Sequence, residues 1–140
     1  MYRITTKESF DSAHFLSGYE GKCSNIHGHR WKVVLTIQCK DLKTNKNERG
    51  MCMDFSELKG VLKDVLEKYD HTLLIEEGSL KPKTVEALEE EGFPLFVLPF
   101  RPTAENFSKY FYDIFTDMGY DVYEVSVFET PNNCATYVGD

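Results

Sequence analysis

The sequence predicts one α+β domain spanning residues 1–140, an antiparallel sheet with two helices on one face in the order β-β-α-α-β-β. Three observations predict it. Strand-like segments open the chain at residues 2–14 and 30–39 and close it at 122–129 and 134–138. Two amphipathic helix patterns, at 55–69 and after Pro102, fill the middle. No repeat, low-complexity segment or linker divides them, and 140 residues suit a single core.

Residues 2–14 alternate loosely and lack helix signals, which suits a strand. Ser17, Gly18, Gly21, Ser24 and Asn25 make 15–26 a loop. Residues 30–39 are rich in β-branched and aromatic types, and Lys40 to Gly50 is polar and turn-like. In the first helix Phe55, Leu58, Val61, Leu62, Val65, Leu66 and Tyr69 fall at three- and four-residue steps; Asp54 is its N-cap, with Glu57 three positions later. A short acidic helix at 84–91 and a minor strand at Leu95–Leu98 follow. Thr103 caps the second main helix, Phe107, Tyr110, Phe111, Ile114, Phe115 and Met118 form its stripe, and Gly119 stops it. The turn Pro131-Asn132-Asn133 joins the last two strands. A four-stranded sheet leaves two open edges, which neighbouring subunits would close.

A net charge of -7 argues against nucleic acid or an anionic membrane surface as a main partner. The N-terminus has no apolar signal region, and no apolar run approaches the ~20 residues of a membrane span. The expectation is a cytoplasmic protein. Cys23, Cys39, Cys52 and Cys134 form no Cys-x-x-Cys pair and are expected to be thiols in a reducing compartment.

The chemistry gathers around histidine. Of four in the chain, His14 ends the first strand, and His27 and His29 flank Gly28. Side chains two apart on an extended segment point the same way, so His27 and His29 can meet one ion, with His14 adding a third nitrogen from the neighbouring strand. Three neutral ligands with an open fourth position are the pattern of catalytic zinc. A bare His-x-His also occurs at strand starts with no metal; the third histidine tips the reading towards one.

Cys23 lies in the loop before the histidine pair, beside Lys22. Near a metal and a cation its thiolate can act as base or nucleophile; a fourth zinc ligand or an inert loop thiol are the other readings. Asp70-His71 follows the first helix. It is either a carboxylate fixing an imidazole or a helix-end pair without chemistry. Glu129 ends the third strand, where it can pair with an N–H-rich heterocycle or simply be solvated. Lys22 is the favoured local cation for an anionic substrate; Arg30 should point away from His29.

Together these segments are a resemblance. Phe10-Asp11-Ser12-Ala13-His14, Lys22-Cys23-Ser24-Asn25-Ile26-His27-Gly28-His29, Asp54-Phe55-Ser56-Glu57-Leu58-Lys59, Asp70-His71, Pro102-Thr103-Ala104-Glu105-Asn106 and Phe128-Glu129-Thr130 resemble, in order, the motifs of the 6-pyruvoyltetrahydropterin synthase family, from about Phe10 to Tyr137. The resemblance implies the tunnelling fold (T-fold), in which three subunits join four-stranded sheets into a barrel and two trimers stack. It implies zinc on His14, His27 and His29, a catalytic set of Cys23, Asp70 and His71, and a pterin anchor at Glu129, with Thr103 and Glu105 among the substrate-binding residues. The substrate it implies is 7,8-dihydroneopterin triphosphate, a small molecule. Family members that make a pyruvoyl product typically place five residues between the cysteine and His-Gly-His. Those that make a carboxylated pterin place three, and Ser24, Asn25 and Ile26 put this chain with the latter. Residues 76–101 look longer than the same stretch in compact members.

Overall fold

In the computed structural model, which describes residues 1–140, two long strands form the spine of the sheet. β1 (Tyr2–His14) runs antiparallel to β2 (His27–Cys39), with Phe10 opposite Trp31, Ser12 opposite His29 and His14 opposite His27. Alternate side chains of each strand share a face. Phe10, Ser12 and His14 therefore lie beside Trp31, His29 and His27 on the side that is increasingly buried towards Trp31, Val33 and Leu35.

β5 (Val122–Thr130) pairs antiparallel with β2, and β6 (Asn133–Val138) with β5. These four strands are the predicted sheet. β3 (Thr72–Glu76) and β4 (Leu95–Leu98) extend it in parallel, giving the order β4-β3-β1-β2-β5-β6. The class is α+β, as predicted, but the sheet is mixed and has six strands. β3 escapes a sequence reading because its five residues form a short apolar run without alternation.

α1 (Phe55–Leu66) and α3 (Ala104–Asp117) pack on the buried face through Leu58, Leu62 and Leu66, and through Phe107, Phe111 and Phe115. Their caps are those expected: Asp54 Oδ1 accepts from the Ser56 N–H, and Thr103 Oγ1 from the Asn106 N–H. α1 is shorter than the predicted 55–69, and Phe55 stays exposed. Tyr69, beyond the helix, still packs into the core and shares a hydrogen bond with the Tyr110 hydroxyl. α2 (Pro82–Glu90) begins two residues before the expected 84, with Pro82 in its first turn, and links β3 to β4. The long 76–101 stretch is thus a β-α-β extension of one sheet edge.

Two of the four expected thiols are paired. Cys39, at the end of β2, and Cys52 form a disulfide with Cα atoms 5.9 Å apart. The loop between them folds back on itself, with Lys43 N–H donating to Met51 C=O and Gly50 N–H to Lys43 C=O, and this brings Cys52 to the strand end. Cys23 and Cys134 are free.

Candidate functional site

The hairpin register builds the site. Because His14 stands opposite His27, and His29 two residues further along the same face, three imidazoles converge. One ring nitrogen from each lies within 4.8 Å of the other two. His14 Nε2 and His27 Nε2 are 3.1 Å apart. Trp31 sits edge-on beneath, its ring 4.9 Å from that of His14 and 5.6 Å from that of His29. It is fully buried and closes the floor against the core.

Each ring is oriented from behind. His14 Nδ1 lies 2.8 Å from the Pro102 carbonyl, and His27 Nδ1 lies 2.6 Å from the Asn25 carbonyl. A carbonyl only accepts, so both Nδ1 atoms carry the proton and both Nε2 lone pairs face inward. His29 Nε2 is buried without a hydrogen bond, although Glu129 Oε1 lies 3.4 Å away. Two convergent lone pairs and an orphaned buried nitrogen fit a metal ion of the zinc type. Burial pushes the His14 imidazole down to about 4, helped by His27 and His29 and opposed by the Pro102 carbonyl. Burial also lowers His29, against the pull of Glu129. Both shifts favour the neutral form that a metal requires.

Cys23 lies in a short 3₁₀ turn, Lys22–Ser24, in the loop before β2. It is half-buried and stands outside the three-nitrogen group. Lys22 beside it is exposed and forms no ion pair.

Asp70 and His71 form a separate pair, with His71 Nδ1 3.0 Å from Asp70 Oδ2. Asp11 on β1 clamps both: its N–H donates to Asp70 Oδ1 at 2.9 Å, and its carbonyl accepts from the His71 N–H at 2.6 Å. That N–H holds the Asp70 carboxyl below the usual carboxylate range, with His71 adding to the effect against burial. His71 is the one non-glycine residue with positive φ, at 58°. The left-handed conformation costs about 1–2 kcal/mol, which the Asp11 bonds offset. The His71 side chain is 78% exposed. Within one chain no hydrogen bond joins this pair to Cys23 or to the three histidines.

Glu129 meets two hollows. One, of about 330 Å³, is shared with His29, Gly28, Arg30, Lys32 and Phe128. The other is shared with Glu105, Asn133 and Cys134. Glu105 lies exposed in the first turn of α3, and Thr103 is occupied as its cap. Arg30 points away from His29 and grips Asp11 through Nε and Nη2, at 3.0 and 3.3 Å. The Pro102 and Asn25 carbonyls and the Asp11 clamp had no signal in the sequence, because backbone groups look alike at every position.

The fold and the three-imidazole centre define a T-fold domain built around a metal-type site. The sequence profile described as 6-pyruvoyl tetrahydropterin synthase matches residues 3–140, and the chain belongs to that family. A protein of Haemophilus influenzae named 6-carboxy-5,6,7,8-tetrahydropterin synthase is 31% identical, covering 98% of this chain and 99% of its own. A Rickettsia bellii protein of the same name is 33% identical over 94% and 96%. Among solved structures, an uncharacterized protein of Wolinella succinogenes superposes with a TM-score of 0.78 at 19% identity, covering 99% and 98% of the two chains. The 6-pyruvoyl tetrahydropterin synthase of Caenorhabditis elegans superposes at 0.69 and 25% identity, covering 99% and 96%.

Proposed function

We propose that this chain is a zinc-dependent 6-carboxy-5,6,7,8-tetrahydropterin synthase. It would convert 7,8-dihydroneopterin triphosphate and water into 6-carboxy-5,6,7,8-tetrahydropterin, acetaldehyde and triphosphate, in a route to queuosine and other deazapurines. The observation that carries the reading is the convergence of His14, His27 and His29 next to Glu129. It offers three protein nitrogens, one fewer than a closed structural zinc site. The names of the curated relatives and the three residues between Cys23 and His27 favour the carboxylated product.

When bound, zinc would supply Lewis-acid polarisation of the substrate's side-chain oxygens. Glu129 accepts paired hydrogen bonds from the pterin ring and sets its orientation. Thr103 and Glu105 line the approach from the N-terminal turn of α3. The Cys23 thiolate takes the proton from the side-chain carbon. His71, held by Asp70 through Nδ1, moves protons at Nε2 on the other face. Triphosphate leaves by elimination, and one water then cleaves the remaining side chain, its oxygen completing the carboxyl group on the pterin as acetaldehyde is released. The redox change is internal to the substrate, so no redox cofactor takes part. Lys22, an exposed cation with no acidic partner, offsets the negative chain where the triphosphate docks.

The working form is a homo-oligomer, a trimer or a dimer of trimers. β6 has no partner on its outer side, and β1 pairs with β3 only at Ser12 and Ala13, so residues 2–9 have no strand on that side, where Lys59 Nζ caps the Lys7 carbonyl. The net charge of -7 disfavours nucleic acid and an anionic membrane surface as partners, and no helix is long and apolar enough to cross a bilayer. The reading places the protein in the cytoplasm, where the Cys39–Cys52 pair would meet a reducing thiol pool.

The test is to incubate the purified protein with 7,8-dihydroneopterin triphosphate and weigh the pterin product. The mass of 6-carboxytetrahydropterin with release of acetaldehyde supports the reading. The mass of the pyruvoyl product moves the chain to the other branch of the family, and no turnover of any pterin leaves it a zinc-binding module.

A further inference from the structure

The loop that carries Cys23 is bonded mainly to itself. Leu16 N–H donates to the Cys23 carbonyl at 2.8 Å, Ser24 N–H to Gly21 C=O at 3.1 Å, and Asn25 N–H to Lys22 C=O at 3.0 Å. The Ser24 and Asn25 side chains repeat the last two contacts. Apart from the adjoining His27 ring, one hydrogen bond reaches residues 15–26 from elsewhere in the chain. Arg101 Nη2 donates to the Ser17 carbonyl at 2.7 Å, across 84 positions.

Arg101 is half-buried and has no carboxylate within ion-pair distance. A guanidinium in that setting is committed to its carbonyl rather than to a surface salt bridge. Its own backbone is pinned, because the Arg101 carbonyl accepts from Thr103 N–H at 2.8 Å and from Asn106 Nδ2 at 2.9 Å. The next residue, Pro102, supplies the carbonyl that orients His14. Two consecutive residues thus serve two parts of one site. Pro102 sets a metal-facing imidazole through its backbone, and Arg101 holds the thiol loop through its side chain.

We propose that Arg101 is a positioning residue that fixes the Cys23 loop relative to the three-histidine centre. Its effect on turnover rests on the lyase reading, in which Cys23 takes the proton; the mechanical tie does not. A hydrogen bond to a charged group shifts the balance between held and released loop by a factor of roughly 10–150. A small displacement of the reacting group costs a similar factor in rate.

The experiment uses the zinc-loaded full-length protein with Arg101→Ala, Arg101→Gln and Arg101→Lys. Mass-mapped alkylation by iodoacetamide reads Cys23, and hydrogen exchange reads the Leu16 and Ser24 amides. In Arg101→Ala, Cys23 alkylation and amide exchange should accelerate about ten-fold, with zinc content and the far-ultraviolet spectrum unchanged. kcat should fall about ten-fold or more while KM stays within about two-fold. Arg101→Lys, which keeps a cationic donor, should recover part of each effect.

Wild-type alkylation and exchange in folded Arg101→Ala overturn the proposal. Should that variant not fold, Arg101→Gln, which keeps part of the stem but not the charge, decides by the same criterion. A wild-type protein inert towards the pterin triphosphate would overturn the lyase reading alone, since alkylation and exchange need no substrate.

Discussion

His14 and Pro102 are 88 positions apart in sequence, yet the His14 Nδ1–H donates to the Pro102 carbonyl at 2.8 Å inside the core. This bond fixes the tautomer of the most buried of the three imidazoles, and burial keeps that ring neutral. A histidine whose folded value lies near 4 and whose unfolded value is 6.5 binds fewer protons folded than unfolded between those pH values. Its contribution to stability is complete above pH 6.5 and is lost as the pH falls towards 4. His29 shifts in the same direction. Thermal melts of metal-free protein should therefore show a midpoint that drops across this window and levels off above it. A midpoint that rose on acidification would contradict the assignment.

Metal content separates the ligands from the thiol. His27→Ala removes one of three convergent nitrogens and should take bound zinc from about one per chain to near zero. Cys23→Ala should keep its zinc and lose about 10²–10⁴-fold in turnover. Elemental analysis alongside the product assay distinguishes them. Zinc loss in the Cys23 variant would make that residue a ligand and the site a structural one.

Glu129 stands at the rim with Oε1 3.4 Å from His29 Nε2. Glu129→Gln keeps the shape but removes the charge and one acceptor. It should weaken pterin binding about 10–100-fold and leave zinc in place. Fluorescence titration with a non-reacting pterin measures this, and wild-type affinity would remove Glu129 from ring recognition.

Lys22→Ala should raise KM for the triphosphate substrate at low salt, and the increase should shrink at high salt as screening weakens the attraction. A constant unaffected at low salt would place the triphosphate on other cations.

The free edge of β6 and the N-terminal half of the β1 edge should pair between copies. Sedimentation at micromolar concentration should give a species of three or six chains. A lone monomer would refute the assembly.

The site was more legible in the sequence than the sheet around it. The His27-Gly28-His29 spacing carries its meaning directly, because alternation along a strand places both rings on one side, and β1 supplied the third where expected. The helices were legible through Leu58, Leu62 and Leu66 and through Phe107, Phe111 and Phe115. β3 was not. Leu74 and Ile75 are both buried, so the strand shows no alternation, and its parallel partner β4 lies beyond a helix. The Cys39–Cys52 pair was hidden for a related reason, since only the fold of the intervening loop brings the two residues together.

The register of β1 against β2 also sets an order of events in folding. His14, His27 and His29 all belong to the first hairpin, where His14 and His27 are only 13 positions apart. The Pro102 carbonyl is 88 positions from His14, and closing that longer span costs about 1.5–2 kcal/mol more in chain entropy. On a chain emerging from the ribosome, every residue of the hairpin is made before Pro102 or Glu129. The nascent N-terminus can thus gather its three imidazoles while the His14 tautomer is still unset, and a metal captured then would act as a template on which the later half of the domain closes.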